Sequence, residues 1–175
     1  MSAYKFAPGI SPNTFVFPTD LGWFYIVSFI NNSHTFKGNK ILENKGLSYE
    51  ISFDREKLEE RPQKGKDNFV QPTIQLILAK QLELQGELVL YYFICDIRDG
   101  KEAARAQLFT QWYLSTDLPG WELFNFELID PEDEQQIFFI GLFAHSEHPD
   151  FESIPGAFEQ FLNEDISVGK FIRRQ

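Results

Sequence analysis

The sequence predicts a mixed α+β fold: a largely antiparallel sheet with helices on both faces. Three observations carry this. Two continuous apolar runs of strand length, residues 88–95 and 136–144, read as central strands. Two segments, 47–53 and 122–130, alternate apolar and polar residues, as half-buried strands do. Three further stretches space their apolar residues three and four apart, and most connections are hairpin-length. The predicted order is β-β-β-α-β-α-β-β-α in one domain, 1–175. Within it, 1–54 supplies N-terminal strands, 55–71 a charged connection and 72–175 the α/β core.

Each element has its own signal. Residues 14–18 read as a short strand with proline at its edge. Residues 22–30 are aromatic or β-branched on both alternations, which suits a strand covered on both faces. The Asn/Gly-rich stretch 31–46 reads as a loop or long hairpin. In 47–53, Leu47, Tyr49, Ile51 and Phe53 oppose Ser48, Glu50 and Ser52. Residues 54–67 read as a mobile connection. Pro72 suits the first turn of a helix whose stripe is Ile74, Ile77, Leu78 and Leu82, with Gly86 just past its end. The apolar run 88–95, directly after this helix, favours parallel pairing with an earlier strand.

A turn at 96–100 precedes a helix over 101–115, with Asp99 as the expected cap. Its expected stripe is Ala104, Leu108, Gln111/Trp112 and Ser115, widened by Phe109 and Tyr113. In 122–130, Leu123, Asn125 and Glu127 oppose Phe124, Phe126 and Leu128. An acidic turn, 131–134, leads to the strand 136–144. A loop, 145–155, leads to a last helix, 156–166, with Ala157, Phe158, Phe161 and Leu162 at helical spacing. Trp121, after Pro119-Gly120, is expected near the surface.

Composition bounds the function. The 19 phenylalanines in 175 residues argue for a packed core and against a disordered chain. The net charge of −10 argues against a nucleic-acid binder, whose footprint is basic. No apolar run approaches the ~20 residues of a membrane span. The N-terminus lacks the apolar stretch of a signal peptide, so a cytoplasmic location is expected. Cys95 is the single cysteine, and its apolar run marks it as a buried thiol.

The charge is uneven. Residues 1–86 hold 10 Lys/Arg and 9 Asp/Glu, whereas 87–175 hold 6 and 17. Between Ala106 and Gly169 there are 13 carboxylates and no Lys or Arg. An acidic surface of this kind attracts a basic protein or an amine ligand.

Few residues carry chemistry. Asp96, Asp99 and Arg105 form the most chemical-looking cluster, at the end of a buried strand and into the next helix. They suit either ligand orientation and proton transfer or an ion-paired brace of the strand–helix corner. His145-Ser-Glu-His148 has two imidazoles, but no third ligand at a fixed spacing, so no metal is expected.

The element order from the third strand on resembles that of Gnat-type N-acetyltransferases. Strand 47–53, loop 61–67, helix 73–85, strand 88–95 and the helix opened by Asp99-Gly-Lys-Glu-Ala-Ala-Arg carry this likeness. It implies acetyl-CoA as cofactor, with Lys64, Gly65 and Lys66 as the phosphate-loop candidates. The loop departs from the acetyltransferase pattern: it has one glycine at a different spacing, and Asp67 adds a negative charge. The tyrosine that acts as general acid in such enzymes corresponds to Phe109, which has no proton to give. Tyr113, one turn on, is the nearest substitute.

A second likeness covers most of the chain. Tyr92-Phe-Ile-Cys-Asp96, Asp99-Gly100, Ala104-Arg105, Leu108-Phe109 and Trp112 resemble the core of a bacterial family of unknown function. Membership implies a small bacterial protein without an established activity. The function expected is a non-catalytic or degenerate Gnat-like domain that binds a partner or cationic ligand through its acidic second half, without a cofactor. The alternative is an acyl-CoA-dependent N-acyltransferase acting on an amine. Mimicry of nucleic acid requires the carboxylates to share one face.

Overall fold

A computed structural model describes residues 2–43, 47–95, 100–130 and 133–164. The fold is mixed α+β. Its strands are β1 (Ala7–Pro8), β2 (Thr14–Pro18), β3 (Trp23–Asn31), β4 (Ser48–Lys57), β5 (Leu90–Ile94), β6 (Trp121–Asp130) and β7 (Asp133–His145). Its helices are α1 (Val70–Gln85), α2 (Glu102–Leu114) and α3 (Ile154–Glu164). The seven strands are ordered β1-β2-β3-β4-β5-β7-β6 in a mostly antiparallel sheet. Every predicted element is present, and the two-residue β1 is added. The chain divides into two compact units: 1–30 with 50–86, and 31–49 with 87–175.

The first unit is held by aromatic contacts and a few buried polar groups. β2 and β3 pair antiparallel, with Val16 opposite Ile26. Val27 and Phe29 are buried, but Ile30 on the other alternation is exposed, so β3 is less covered than its sequence suggests. In α1, Ile74, Ile77 and Leu82 are buried as expected, and Thr73, Gln75 and Gln81 are buried with them. The N-terminal segment is tied to this helix. The Tyr4 N–H donates to Thr73 Oγ1 at 2.8 Å, and the Tyr4 ring stacks on Phe17.

β4 corrects the sequence reading twice. Its start is covered on both faces: Ser48 and Glu50 are only 2 % and 4 % exposed. The strand also runs on to Lys57, four residues into the segment read as a mobile connection. Arg55 lies 4.5 Å above the Trp23 ring there, and the Leu58 N–H donates to Gly22 O. The paired backbone overrides the low strand propensity of a charged sequence.

The second unit places one helix on each face of β5, β7 and β6. β7 pairs antiparallel with both neighbours, with Phe93 opposite Gly141 and Asn125 opposite Gly141. On one face Leu90, Tyr92, Phe138, Ile140 and Leu142 meet Ile154, Phe158 and Leu162 of α3. Phe36 and Leu42, from the segment before β4, join this core. Burial of each such side chain contributes about 1.5–3 kcal/mol. On the other face Phe93 and Phe143 meet Phe109 and Tyr113 of α2, at ring separations of 5.1 and 5.7 Å.

No residue of α2 is buried. Its sheet-facing side is also turned from the expected stripe. Ala104, Leu108 and Gln111 are exposed, while Arg105, Ala106, Phe109, Thr110, Trp112 and Tyr113 are half-buried. The N-cap position falls on Lys101, which makes no side-chain capping bond; the expected cap, Asp99, lies outside the described residues. Trp121 is buried rather than near the surface, edge-on to Tyr91 at 5.7 Å and His145 at 5.3 Å. Gly120 has φ +78°, and a Cβ there would strike the His145 ring, so only glycine lets that ring cover the turn.

Candidate functional site

The incomplete seating of α2 leaves a cleft of about 290 Å³ between this helix and the sheet. That is at the small end of ligand sites, which run from about 300 to 1,000 Å³. Ala103 and Ala106 form the helix wall, and their methyl groups are too short to reach the strands. Phe93 and Phe139 supply an aromatic floor. A Cβ at position 141 would strike the Phe93 ring, so glycine there lets the ring lie flat across β7.

Phe126 and Ile140 also border it, and its polar residues among those described are Gln107 and Thr110 from α2 and Asn125 and Glu127 from β6. The alternation of β6 explains them. Phe124, Phe126 and Leu128 pack toward the α3 core, so Asn125 and Glu127 project on the α2 side. Both are exposed. The Thr110 hydroxyl donates to Ala106 O at 2.9 Å and lies 3.4 Å from Asn125 Oδ1. Glu127 is the only ionisable residue lining the cleft among the described residues. Among the described residues, the lining holds no imidazole, thiol, amine or phenol.

The residues singled out from sequence fall elsewhere or beyond view. Asp96 and Asp99 lie outside the described residues. Arg105 is half-buried on α2 and acts on Cys95: burial pushes that thiol up to about 12, Arg105 draws it down and Glu102 raises it. Cys95 is therefore a buried, protonated thiol at neutral pH. The Tyr113 hydroxyl donates to Trp121 O at 2.9 Å, which ties the end of α2 to the start of β6. Phe109, the position matching an acetyltransferase tyrosine, sits between Phe93 and Trp112.

Lys64, Gly65 and Lys66 are exposed in the first unit, ahead of α1. Asp67 is anchored just ahead of that helix. Asp67 Oδ1 accepts the Phe69 N–H at 3.0 Å, and Asp67 Oδ2 accepts the Tyr4 hydroxyl at 3.0 Å. Asp67 thus sets a negative charge just ahead of the helix, which acts against an incoming phosphate.

His145 and His148 each use Nδ1 as an acceptor, from the N–H of Glu147 and of Asp150. Burial lowers the pKa of His148, and Asp150 opposes this to a smaller degree. Among the described residues no three His, Cys, Asp or Glu side chains are grouped to hold a metal. No described helix is long and apolar enough to cross a membrane. The carboxylates of 106–164 do not share one face: Glu127 projects beside α2, whereas Glu122 is on the alternation that faces α3.

Sequence reasoning missed the cleft residues Gln107, Thr110, Asn125 and Glu127. The alternation of β6 had separated Asn125 and Glu127 from its phenylalanines, and that signal was sufficient to place them on one face. Comparison with known proteins adds a family and no activity. No curated protein matches the chain. The segment 66–160, which contains the Tyr92–Trp112 core motif and both walls of the cleft, matches the family of unknown function DUF6169. That stretch is more than half of the 175 residues, and the chain belongs to this family.

Proposed function

We propose that the protein is a non-catalytic binding module that seats a small organic cation in the α2 cleft. The observation that carries this reading is the lining: among the described residues, the Glu127 carboxylate stands beside amide and hydroxyl groups over an aromatic floor. A primary amine or guanidinium pairs with Glu127 and donates to Asn125 Oδ1, while a short apolar tail covers Phe93 and Phe139. The charge of the surrounding sequence favours such a ligand, because no Lys or Arg occurs between Ala106 and Gly169.

Thermal-shift titration tests the reading, since a ligand that binds only the folded chain raises Tm. Phenethylammonium and butylammonium at millimolar concentration are expected to raise Tm, and their uncharged alcohol analogues are not. Acetyl-CoA and CoA at the same concentration are expected to leave Tm unchanged. Equal shifts from amine and alcohol, or no shift from either, contradict the proposal. A shift with acetyl-CoA supports the acyltransferase alternative instead.

A further inference from the structure

β6 is the last strand in the sheet order, and its outer side meets no further strand among the described residues. Exposed edges recruit other strands, so proteins shorten them or interrupt them with Lys or Pro. At the other end of the order, β1 is two residues long and contains Pro8. β6 is ten residues long, Trp-Glu-Leu-Phe-Asn-Phe-Glu-Leu-Ile-Asp, without lysine or proline. Its only register shift is at the far end, between Ile129 and Asp130.

The register fixes which backbone groups face outward. The Ser146 N–H donates to Gly120 O, so Trp121 and His145 form a non-hydrogen-bonded pair. Alternation then turns the N–H and C=O of Trp121, Leu123, Asn125, Glu127 and Ile129 away from β7. Trp121 uses both of its groups, on Leu118 O and the Tyr113 hydroxyl. The open stretch begins at Leu123. On this stretch the side chains of Asn125 and Glu127 border the α2 cleft.

We infer that this edge takes up an extended basic peptide segment of a partner protein as an added strand. Main-chain hydrogen bonds to the outward groups of Leu123 to Ile129 hold such a strand, and alternate side chains give it specificity. A Lys or Arg on the α2 side of the added strand lies beside Glu127 and enters the cleft. The charge argues for this occupant over a second copy. Glu122 and Glu127 are exposed on β6, so self-pairing brings carboxylates together, whereas a basic strand neutralises them. This inference rests on the proposed cation site and identifies the cation as a side chain.

The test uses a labelled ten-residue peptide of alternating Lys and Val, read by fluorescence anisotropy on the full chain. Its control is the same peptide N-methylated at alternate residues, which keeps the charge and removes one row of donors. The unmodified peptide is expected to bind saturably, and the methylated one at least tenfold more weakly. Ile129→Pro, which removes one outward N–H beyond the cleft, is expected to weaken the peptide at least threefold. If that variant does not fold, the methylated peptide alone decides.

Equal binding of the two peptides overturns the inference, because charge alone then suffices. So does a concentration-dependent dimer, detected by sedimentation, that the peptide does not dissociate. Amines that raise Tm while the peptide fails to bind overturn the added strand and leave the cation site standing. Failure of both overturns both.

Discussion

α2 and α3 lie on opposite faces of the same three strands, yet they are seated differently. α3 buries Ile154, Phe158 and Leu162, at successive four-residue steps, in a cluster that also takes in Phe36 and Tyr92. α2 buries nothing completely, and rests on the sheet through Phe109 and Tyr113. Ala103 and Ala106 leave the rest of the gap open. The α3 face is therefore closed, whereas the α2 face keeps a cleft beside its buried Tyr91, Phe93 and Phe143. The side chains that close one face are not those that line the cleft on the other, which lets each be tested separately.

The largest expected effect is the contrast between equivalent truncations on the two faces. Phe158→Ala leaves a cavity in a closed core and should cost about 3–5 kcal/mol. Phe109→Ala removes a half-buried ring and should cost about 1–2 kcal/mol. Urea denaturation of both variants measures the difference. Equal costs would mean that α2 is seated as firmly as α3.

Gly141→Ala tests the cleft floor. The added Cβ meets the Phe93 ring, and displacing that buried ring should cost about 1–3 kcal/mol. Tyr113→Phe comes next, at about 1 kcal/mol, from loss of its bond to Trp121 O. Retention of wild-type stability by that variant would show that this bond does not anchor α2.

The smallest effect concerns pH and the loop after β7. His148 has its folded pKa held below the ordinary value of 6.5, chiefly by burial. The stability contributed by its neutral ring is complete above about pH 6.5 and is lost as pH falls toward the lower folded value. His148→Asn keeps an acceptor for the Asp150 N–H but cannot titrate. Its stability should therefore fall less than the wild type's between pH 7 and pH 5. Parallel pH profiles would exclude His148 as a source of acid sensitivity.

The contrast between the helices also marks how much was legible in sequence. Ala157, Phe158, Phe161 and Leu162 identify α3 and its buried side, because a dry interface demands a continuous apolar stripe. The same reasoning placed Phe109, Trp112 and Tyr113 of α2 on its packed side but wrongly added Ala104, Leu108 and Ser115, which are exposed. Its half-buried side mixes Phe109 with the polar-ended Thr110, Tyr113, Trp112 and Arg105; the Tyr113 and Thr110 hydroxyls bond to backbone oxygens. Such a face has no clean hydrophobic period. Trp121 failed for another reason: its cover comes from Tyr91 and His145, distant in sequence, and a neighbouring Pro-Gly turn says nothing of them. For β6, the local alternation was readable, but what stands opposite Asn125 and Glu127 depends on where α2 comes to rest.

The most direct test is a ¹H–¹⁵N correlation titration of the wild type and Glu127→Gln with phenethylammonium. The account predicts saturable shifts concentrated at Ala103, Ala106, Gln107, Thr110, Asn125 and Glu127. It also predicts binding about fivefold weaker in the variant, as expected for one partly solvated ion pair of about 1 kcal/mol. Shifts gathered away from α2 and β6, or equal affinity in the two proteins, would contradict it.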